Sequence, residues 1–292
     1  MELSAPESAT ETKSGISRRS FLALSGVAAL GVPLYAAEIS RHEISVEQVT
    51  IAMPRLPDVF RGLRIVQISD LHYANFTEPY FIRKVVEQVN RLNADVVVFT
   101  GDFITFGLWP YEDIVNFANS CAEILSQVKC PIRYASLGNH DWAVNHWMVE
   151  DALKNHNIPV LVNRSEPLER DGKRLWIAGT GDAIANEVNL DAAIPAASRT
   201  GNEPVILLAH EPDILKYVVP FGVDLMLSGH THGGQIRLPF LPPLFLPKMG
   251  IEYVHGLFRM GNTHLYVNRG IGTVNLPFRF NCPTEITVLT LA

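Results

Sequence analysis

The sequence of 292 residues predicts an α/β protein, and three observations carry this prediction. The composition, 47% hydrophobic and 18% charged, supplies a large core without the bias of a disordered or fibrous chain. Short β-branched and aliphatic runs recur, each typical of a buried strand. Between the first three runs lie stretches whose apolar residues are spaced by three and four, as in crossover helices. Such alternation favours an α/β sheet.

The amino terminus precedes this pattern and has the three-part plan of an export signal. Arg18 and Arg19 are adjacent, and a mild apolar run follows over residues 21–37. An ordinary secretory signal or a short membrane anchor would share these features, but the paired arginines resemble a twin-arginine signal. We therefore expect residues 1–37 to be a leader, cleaved or kept as a tether. It would engage the twin-arginine export machinery and direct the protein to the periplasm, the cell wall or the outer face of the cytoplasmic membrane.

Residues 38–292 are predicted to form a single domain, because no linker, repeat or low-complexity tract interrupts them. The five buried strands are expected at residues 63–68, 94–99, 132–137, 204–209 and 223–227. The crossover helices are expected at residues 80–92 and 111–128. Four later runs without intervening helices, at residues 174–178, 253–259, 264–268 and 285–291, predict a second, more antiparallel sheet.

Each of the five buried strands is followed directly by polar side chains that can bind metals. They are, in strand order, Asp70 and His72; Asp102; Asn139, His140 and Asp141; His210; and His230 and His232. In open α/β sheets, ligands bind outside the carboxyl ends of the strands, so these side chains should meet in space. One Asp-x-His or His-x-His pair occurs by chance in many chains, but five unrelated polar strand ends would be a poor explanation of the whole set.

These motifs resemble those of the calcineurin-like metallophosphoesterases. That signature runs Asp-x-His, Gly-Asp, Gly-Asn-His-Asp/Glu, a later His and Gly-His-x-His, and it is present here at residues 70–72, 101–102, 138–141, 210 and 229–232. The resemblance extends to an exported bacterial branch that combines a twin-arginine leader with Gly-His-Thr-His-Gly-Gly-Gln. It implies a four-layer α-β-β-α sandwich of two mixed sheets, consistent with the two sheets expected above.

Carried over position by position, the resemblance implies a dinuclear metal site. It assigns Asp70, His72 and His232 to one ion and Asn139, His210 and His230 to the other, with Asp102 between them. Imidazole-rich ligand sets suit transition ions, so two divalent Mn, Fe or Zn ions are the expected cofactors. Such a pair can activate water for attack on phosphorus. Two divalent ions, two carboxylates, one hydroxide and a phosphodiester are together neutral, which favours diesters over monoester dianions.

Four further residues near the motifs are candidates for contact with substrate. The resemblance implies that His140 contacts the phosphate and protonates the leaving oxygen, which suits an imidazole. Asp141 either hydrogen-bonds His140 and supports that role or is a surface carboxylate. Arg237 and Arg269 are candidates for holding phosphate or a sugar. Trp142 and Trp147 beside the third motif either form a wall of the cleft or belong to the core.

Two sequence features bear on the partners of the protein. The formal net charge of −6 argues against nucleic acid, which needs a basic face. Residues 238–247 combine prolines with large apolar side chains, which excludes a regular helix or central strand. We expect this loop to fold onto the second sheet; the alternative is that it contacts a membrane surface or an acyl chain.

Three functions remain open on the sequence alone. The leading hypothesis is an exported dinuclear-metal phosphoesterase that hydrolyses phosphodiesters. An alternative is a pyrophosphatase acting on a lipid-linked nucleotide-sugar or envelope precursor with the same metals. A non-catalytic metal-binding scaffold is disfavoured, because every residue of the motif set is present.

Overall fold

The computed structural model describes residues 16–74, 76–107, 109–201 and 203–292. Its strands are β1 (Ile44–Ile51), β2 (Arg64–Ile68), β3 (Val96–Thr100), β4 (Arg133–Ser136), β5 (Arg164–Arg170), β6 (Lys173–Gly179), β7 (Val205–Leu208), β8 (Leu225–Ser228), β9 (Gly256–Met260), β10 (Thr263–Val267) and β11 (Thr284–Leu291). Its α-helices are α1 (Arg18–Leu34), α2 (Pro79–Val89), α3 (Tyr111–Ser126), α4 (Asn139–Asn155), α5 (Leu190–Ala193), α6 (Ala196–Arg199) and α7 (Leu215–Val218). Nine of the strands and two of the helices correspond to predicted ones.

The strands form two mixed sheets. The first has the order β1-β11-β2-β3-β4, in which only the β11–β2 pair is antiparallel. The second has the order β5-β6-β7-β8-β10-β9, with parallel pairs in the middle and an antiparallel pair at each edge. The second sheet is therefore antiparallel only at its edges.

Three apolar cores alternate with the sheets and establish four layers. In β7, Ile206 and Leu208 face the core between the sheets, while Val205 and Leu207 face the core under the short helices α5 and α7. The third core packs the outer face of the first sheet against α2, α3 and α4. This alternation follows from the two-residue period of a strand that is buried on both faces. The predicted α-β-β-α sandwich is confirmed.

Three strand assignments differ from the sequence prediction. Strand β11, which sequence grouped with the second sheet, lies in the first sheet between β1 and β2. Its eight backbone pairings with β1 bring together segments at opposite ends of the chain, which no local pattern reveals. Strands β1 and β5 were not predicted. Both are edge strands with mixed polar and apolar residues, so neither has the continuous apolar run of a central strand.

The segment around the predicted leader boundary packs against the folded body. Helix α1 continues through a π turn at Tyr35–Ile39, where buried Ala36 accepts a backbone hydrogen bond from Arg279 at 3.1 Å. Of the residues that the structure describes, no helix is both long enough and apolar enough to cross a membrane. Residues 1–15 of the predicted leader lie outside the described residues, and the division at residue 37 stays a prediction.

The loop over residues 238–247 is exposed and does not fold onto the second sheet as expected. Phe240 is fully exposed at 106% of its reference area, and Phe245 is 74% exposed. Leu241 and Leu244 are exposed as well. Large apolar side chains in water on one loop are uncommon outside contact sites.

Candidate metal centre

The seven candidate metal ligands converge where the carboxyl ends of strands from both sheets meet. Asp70 and His72 follow β2, Asp102 follows β3 and Asn139 begins α4 after β4, so these four belong to the first sheet. His210 follows β7, and His230 and His232 follow β8 in the second sheet. Backbone hydrogen bonds hold neighbouring strand ends together, as between the Asp70 amide and the Gly101 carbonyl at 2.9 Å. Two sheets therefore contribute to one site.

Asp70, His72 and His232 form a first group, with ligand atoms all within 4.8 Å of one another. The Nε2 atoms of His72 and His232 are 3.0 Å apart, and His232 Nε2 is 3.5 Å from Asp70 Oδ1. All three side chains are buried. The two Nε2 atoms and the Asp70 carboxylate are thus close enough to bind one cation together.

Asp102, His210 and His230 form a second group on the same 4.8 Å criterion. Asp102 Oδ2 is 3.1 Å from His210 Nε2 and 3.5 Å from His72 Nε2, so Asp102 lies between the two groups. Asn139 has a buried side-chain oxygen on the same side of the cleft as His140, where both line one cavity with Asp102. The structure thus brings the two groups of candidate ligands together, with Asp102 between them.

Hydrogen bonds to the outer ring nitrogens orient three of the histidines. The partners are Thr105 Oγ1 for His72 Nδ1 at 2.9 Å, the Thr100 carbonyl for His210 Nδ1 at 2.6 Å, and the Lys248 carbonyl for His230 Nε2 at 2.8 Å. A histidine that donates through one nitrogen presents the lone pair of the other, which is the usual arrangement of metal-binding imidazoles. These contacts leave His72 Nε2, His210 Nε2 and His230 Nδ1 available.

Two buried polar atoms test whether these residues fit a metal ion. Within the described part of the chain, Asn139 Oδ1 has no hydrogen-bond partner, and His210 Nε2 has none apart from its 3.1 Å ion-pair contact with Asp102 Oδ2. Buried polar atoms are rarely left unpaired, because each loses its hydrogen bonds to water. A divalent cation among the nitrogen and oxygen donors would satisfy both atoms. The donor set therefore fits divalent transition ions.

The backbone at the site is held in an unusual conformation. Five of the seven candidate ligands have a positive φ: Asp70 (52°), His72 (47°), Asp102 (56°), His230 (71°) and His232 (51°). The left-handed region is costly for residues with a side chain, and such residues cluster at functional sites. The strain turns each side chain sharply away from its strand end toward the shared centre.

Two glycines allow the backbone to come close to the ligands. A Cβ on Gly138 would collide with Asp102 Oδ1 and lie 2.7 Å from His210 Nε2. A Cβ on Gly229 would collide with Ser69 Oγ and Asp70 Oδ2. Both glycines belong to the sequence motifs, so close approach explains why those positions have no side chain.

Burial and neighbouring charges set the protonation of the candidate ligands. Burial lowers the pKa of His72 to about 3 and that of His230 to about 4, so both rings are neutral near pH 7. Burial also lowers the pKa of His232 well below its usual value. Burial raises the pKa of Asp70 to about 6. Neutral imidazoles are the form that binds metals.

The pair formed by Asp102 and His210 behaves differently. Burial opposes charge on either group, but their mutual attraction wins, so the pKa of Asp102 lies well below its usual value and that of His210 well above. The pair therefore draws positive charge into the centre of the site. A divalent cation supplies the same compensation that a proton on His210 supplies.

His140 lies beside the candidate ligands His72 and Asp102. Its ring is 4.9 Å from that of His72, and its amide donates to Asp102 Oδ1 at 2.8 Å. Its Nδ1 accepts a hydrogen bond from the Phe106 amide at 3.0 Å. A neutral ring in this position carries its proton on Nε2, so His140 is a hydrogen-bond donor on the side away from Phe106.

Asp141 is neither a partner of His140 nor a surface carboxylate. Its side chain is buried and accepts hydrogen bonds from the amides of Gly138 (3.0 Å), Phe103 (3.0 Å) and Ile104 (3.3 Å). Burial raises the pKa of Asp141 to about 8, while the backbone donors favour its charged form. The sequence had left two alternatives for Asp141, a hydrogen bond to His140 or a place on the surface, and both are wrong. The carboxylate instead caps the start of α4 and ties this helix to the loop after β3.

The two candidate substrate arginines are held by other protein groups. Arg269 forms ion pairs with Glu47 and Glu285, both at 2.6 Å. Arg237 Nη1 contacts His255 Nδ1 at 2.8 Å. Neither is among the residues that line the cavity over the site. The structure therefore does not bring them together with the candidate ligands.

Arg279 is a residue of the site that sequence reasoning missed. It is fully buried, donates to the carbonyls of Arg269, Gly270 and Gly272, and has Nη2 at 3.5 Å from His232 Nδ1. It thus fixes the loop behind a candidate ligand. The only sequence signal is an arginine between two phenylalanines, which carries no motif.

A cavity of about 540 Å³ opens over the candidate ligands. Its polar floor includes Asp102, Asn139, His140, His230 and His232. Its other wall is largely apolar and consists of Ile236, Phe245, Leu246, Pro247, Val274 and Leu276, with Asn275 among them. The volume is in the range of small-molecule sites, roughly 300–1,000 Å³. Phosphate-sized and apolar groups could therefore bind side by side.

Comparisons with known proteins identify the family to which the chain is similar. A family model described as calcineurin-like phosphoesterase matches residues 63–234. The chain is 34% identical over 287 residues to the uncharacterized metallophosphoesterase YkuE of Bacillus subtilis, covering 94% of this chain and 98% of that protein. It is 32% identical to the phosphodiesterase YaeI of Escherichia coli, covering 78% and 82%. It is 30% identical to the UDP-2,3-diacylglucosamine pyrophosphatase LpxG of Chlamydia muridarum, covering 80% and 86%.

Proposed function

The chain belongs to the calcineurin-like phosphoesterase family, and from this premise we propose that it hydrolyses phosphodiesters with the help of two divalent transition-metal ions. The observation that carries the proposal is the cluster of six carboxylate and imidazole ligands under a cavity of about 540 Å³, beside the buried, unpaired side-chain oxygen of Asn139. A phosphodiesterase among the relatives supports the preference for diesters. So does the neutral charge balance expected for a bound diester.

The proposal assigns the ligands to two metal positions. Asp70, His72 and His232 would bind one ion, and Asn139, His210 and His230 would bind the other. Asp102 would bind both ions, and its position between the two groups supports this role. When bound, the two ions would polarise the phosphoryl oxygens and supply an activated water. The hydrogen bonds of Thr100, Thr105 and the Lys248 carbonyl would keep the imidazoles in place during turnover.

His140 is proposed to act on the leaving oxygen. It lines the cavity, and the Phe106 amide directs its proton to Nε2. From there it would donate a hydrogen bond to a phosphoryl or leaving oxygen and transfer a proton as the P–O bond breaks. The amide contact with Asp102 fixes the position of His140 relative to the candidate ligands.

The experiment that tests this function combines metal analysis with a substrate panel. Protein purified without added metal is analysed for bound ions and then assayed on bis-p-nitrophenyl phosphate, p-nitrophenyl phosphate and a nucleoside diphosphate sugar. We expect bound transition metal, fastest hydrolysis of the diester, and loss of activity with a chelator that Mn²⁺ or Zn²⁺ reverses. Full activity after complete metal removal would overturn the proposal. Faster monoester hydrolysis would overturn the diester preference.

A second candidate is hydrolysis of a lipid-linked diphosphate at a membrane surface. The apolar wall of the cavity and the exposed loop at residues 238–247 favour it, because an acyl chain could lie against Phe245 and Leu246 while the diphosphate meets the polar floor. LpxG, a pyrophosphatase of a diacylated nucleotide sugar by name, is a relative. In this reading, Phe240 and Leu241 contact the membrane.

The loop variant Phe240→Ser/Phe245→Ser separates the two candidates. If the loop binds lipid, this variant should lose activity on a diacylated diphosphate in vesicles while keeping most of its activity on bis-p-nitrophenyl phosphate. Tyr217→Ser, which removes an exposed aromatic ring from α7, is the matched control. Equal loss on both substrates would reject the lipid candidate.

We further propose that the protein is exported by the twin-arginine route to the cell envelope. Adjacent Arg18 and Arg19 at the start of α1 support this proposal. Cell fractionation of Arg18→Lys/Arg19→Lys tests it, with Arg61→Lys, an exposed site in the body, as the control. Retention of the double variant in the cytoplasm is expected. Unchanged export would point to a different route.

A further inference from the structure

A second cavity of about 380 Å³ lies beside α4, apart from the one over the candidate ligands. Four of its lining residues, Trp142, His146, Trp147 and Glu150, come from the helix that begins at Asn139. Trp142 is less than one helical turn from Asn139. The cavity is thus a neighbour of the candidate metal centre but shares no lining residue with it.

The aromatic side chains of this cavity form a stack with one exposed end. The rings of Trp142 and His146 are 3.9 Å apart and nearly parallel at 18°, and those of His146 and Trp147 are 4.6 Å apart at 40°. The helix is interrupted at Asn145, whose backbone is extended (φ 169°, ψ 97°), between the two ends of the stack. Trp147 is 66% exposed, although an indole in water is unfavourable.

Apart from Val162, the rest of the wall is polar and balanced in charge. Glu150 and Glu187 contribute carboxylates, and Arg164 contributes a guanidinium. Glu150 is paired with Lys154 at 2.5 Å, so its charge is already compensated. Asn163 holds the Glu187 loop in place by donating to the Glu187 carbonyl at 2.8 Å and accepting from the Gly181 amide at 3.0 Å. The wall therefore suits neither a strong anion nor a strong cation.

One buried donor in the wall needs an acceptor. The indole Nε1–H of Trp142 is buried and has no hydrogen-bond partner among the residues that the structure describes. Buried donors without partners are uncommon in folded proteins. A hydroxyl oxygen of a ligand is the kind of group that would satisfy it.

We propose that this cavity binds a neutral pyranose ring, with Trp147 as the stacking platform and Glu150, Glu187 and Arg164 as the hydrogen-bonding rim. The C–H face of a pyranose packs on an indole, while its hydroxyls point outward and can both donate to carboxylates and accept from a guanidinium. The volume is within the range of small-molecule sites. This assignment is independent of the hydrolytic function.

Binding of two neutral trisaccharides, maltotriose and N,N′,N″-triacetylchitotriose, tests the proposal on the full chain. Calorimetry and ligand-observed NMR need no turnover, so a failure here is distinct from a failure of the phosphoesterase assay. We expect at least one trisaccharide to bind, Trp147→Ala to weaken that binding at least tenfold, and Trp147→Phe to restore part of it. Glu187→Gln should weaken it as well, since it replaces one carboxylate of the rim.

The control is Tyr217→Ala, which removes an exposed aromatic ring from α7 and should bind like the unmodified protein. Circular dichroism confirms that each variant is folded; Trp147 and Glu187 are exposed, so their replacement should not disturb the core. The proposal is overturned if neither trisaccharide binds at millimolar concentrations, or if Trp147→Ala binds as well as the unmodified protein. It is also overturned if uridine binds through Trp147 while the trisaccharides do not.

Discussion

His140 and Asp141 are adjacent in the sequence, yet their side chains contact different parts of the molecule. His140 lines the cavity over the candidate metal centre, whereas the Asp141 carboxylate accepts three backbone hydrogen bonds inside the protein. A hydrogen bond between their side chains was one of the two alternatives that the sequence left open for Asp141. The turn of α4 at its first residues separates them, because consecutive helical side chains point about 100° apart.

Replacing His140 should separate catalysis from metal binding. We expect His140→Ala to lower turnover of bis-p-nitrophenyl phosphate by about 10²–10⁴-fold, the usual contribution of a general acid, with metal content kept. Elemental analysis and steady-state kinetics measure the two effects. His156→Ala, at the other end of the same helix, should change neither. Unchanged turnover in His140→Ala would show that the general-acid assignment is wrong.

Replacing Asp141 should act on stability. In Asp141→Asn the amide keeps one acceptor oxygen and presents an NH₂ group to a backbone donor, so buried donors lose partners. We expect a loss of about 1–3 kcal/mol in the free energy of unfolding, measured by urea denaturation. Asp151→Asn, an exposed site on the same helix, should be nearly neutral. A variant as stable as the unmodified protein would contradict the capping role.

The candidate ligands could be predicted from sequence because each belongs to a short motif with a characteristic spacing. Arg279 could not be predicted, since its importance comes from complete burial behind His232. Arg269 shows the opposite error. It was a candidate for holding phosphate or a sugar, but its side chain pairs with Glu285 and with Glu47, which lies more than two hundred residues earlier in the chain. Long-range ion pairs leave no local trace in a sequence.

At the scale of secondary structure, the crossover helices α2 and α3 and the central strands were predictable, whereas the edge strands β1 and β5 were not. Strands β7 and β8 are buried along their whole length, so they appear as continuous apolar runs. Strand β5 has exposed charged residues at several positions, and only its pairing with β6 identifies it. Edge strands carry such polar residues, which also prevent pairing with other chains.

The turn between β4 and α4 depends on Gly138. In Gly138→Ala the new methyl group would displace Asp102 or His210, so we expect metal affinity to fall by about 10–100-fold, as for other disturbances around metal ligands. Competition with a fluorescent chelator measures it. Gly172→Ala is the control, because it also adds a methyl group but meets no atom within 4 Å. It should lower stability through its positive φ and leave the affinity unchanged.

If Gly138→Ala bound metal as tightly as the unmodified protein, the ligands could not be where the structure places them. That result would remove the geometric basis of the proposed centre. Because a Cβ on Gly138 would collide with Asp102, we expect Gly138→Ala to bind metal more weakly while its fold stays intact. Circular dichroism checks the fold.

At the scale of the whole molecule, the candidate centre joins the two sheets. Asp70, His72, Asp102 and Asn139 come from the first sheet, and the other three ligands from the second. The family resemblance predicted the four layers. The change along the chain from strands separated by helices to strands without intervening helices predicted the two sheets. The place of β11 was not predictable, because it depends on pairing with a strand 240 positions away.

Metal removal should therefore weaken the contact between the sheets. A ligand at a hundred times its Kd contributes about 2.7 kcal/mol, which corresponds to a Tm change of roughly 5–10 °C for a domain of this size. We expect a chelator to lower the Tm by that amount and added Mn²⁺ or Zn²⁺ to restore it. Differential scanning fluorimetry makes the measurement, and Asp102→Asn should be insensitive to the chelator. An equal Tm in both states would argue against a metal shared by the two sheets.

Because the candidate ligands come from both sheets, the metal centre can form only at a late stage of protein folding. The last ligand, His232, is synthesised long after Asp70, and β8 must already lie against β7 before His230 reaches Asp102. A nascent chain therefore lacks the complete set of ligands, and metal binding must follow the formation of tertiary structure. The compartment in which the chain finishes folding then decides which ions compete for it. If export follows folding, cytoplasmic supply selects the metal, whatever ions surround the protein afterwards.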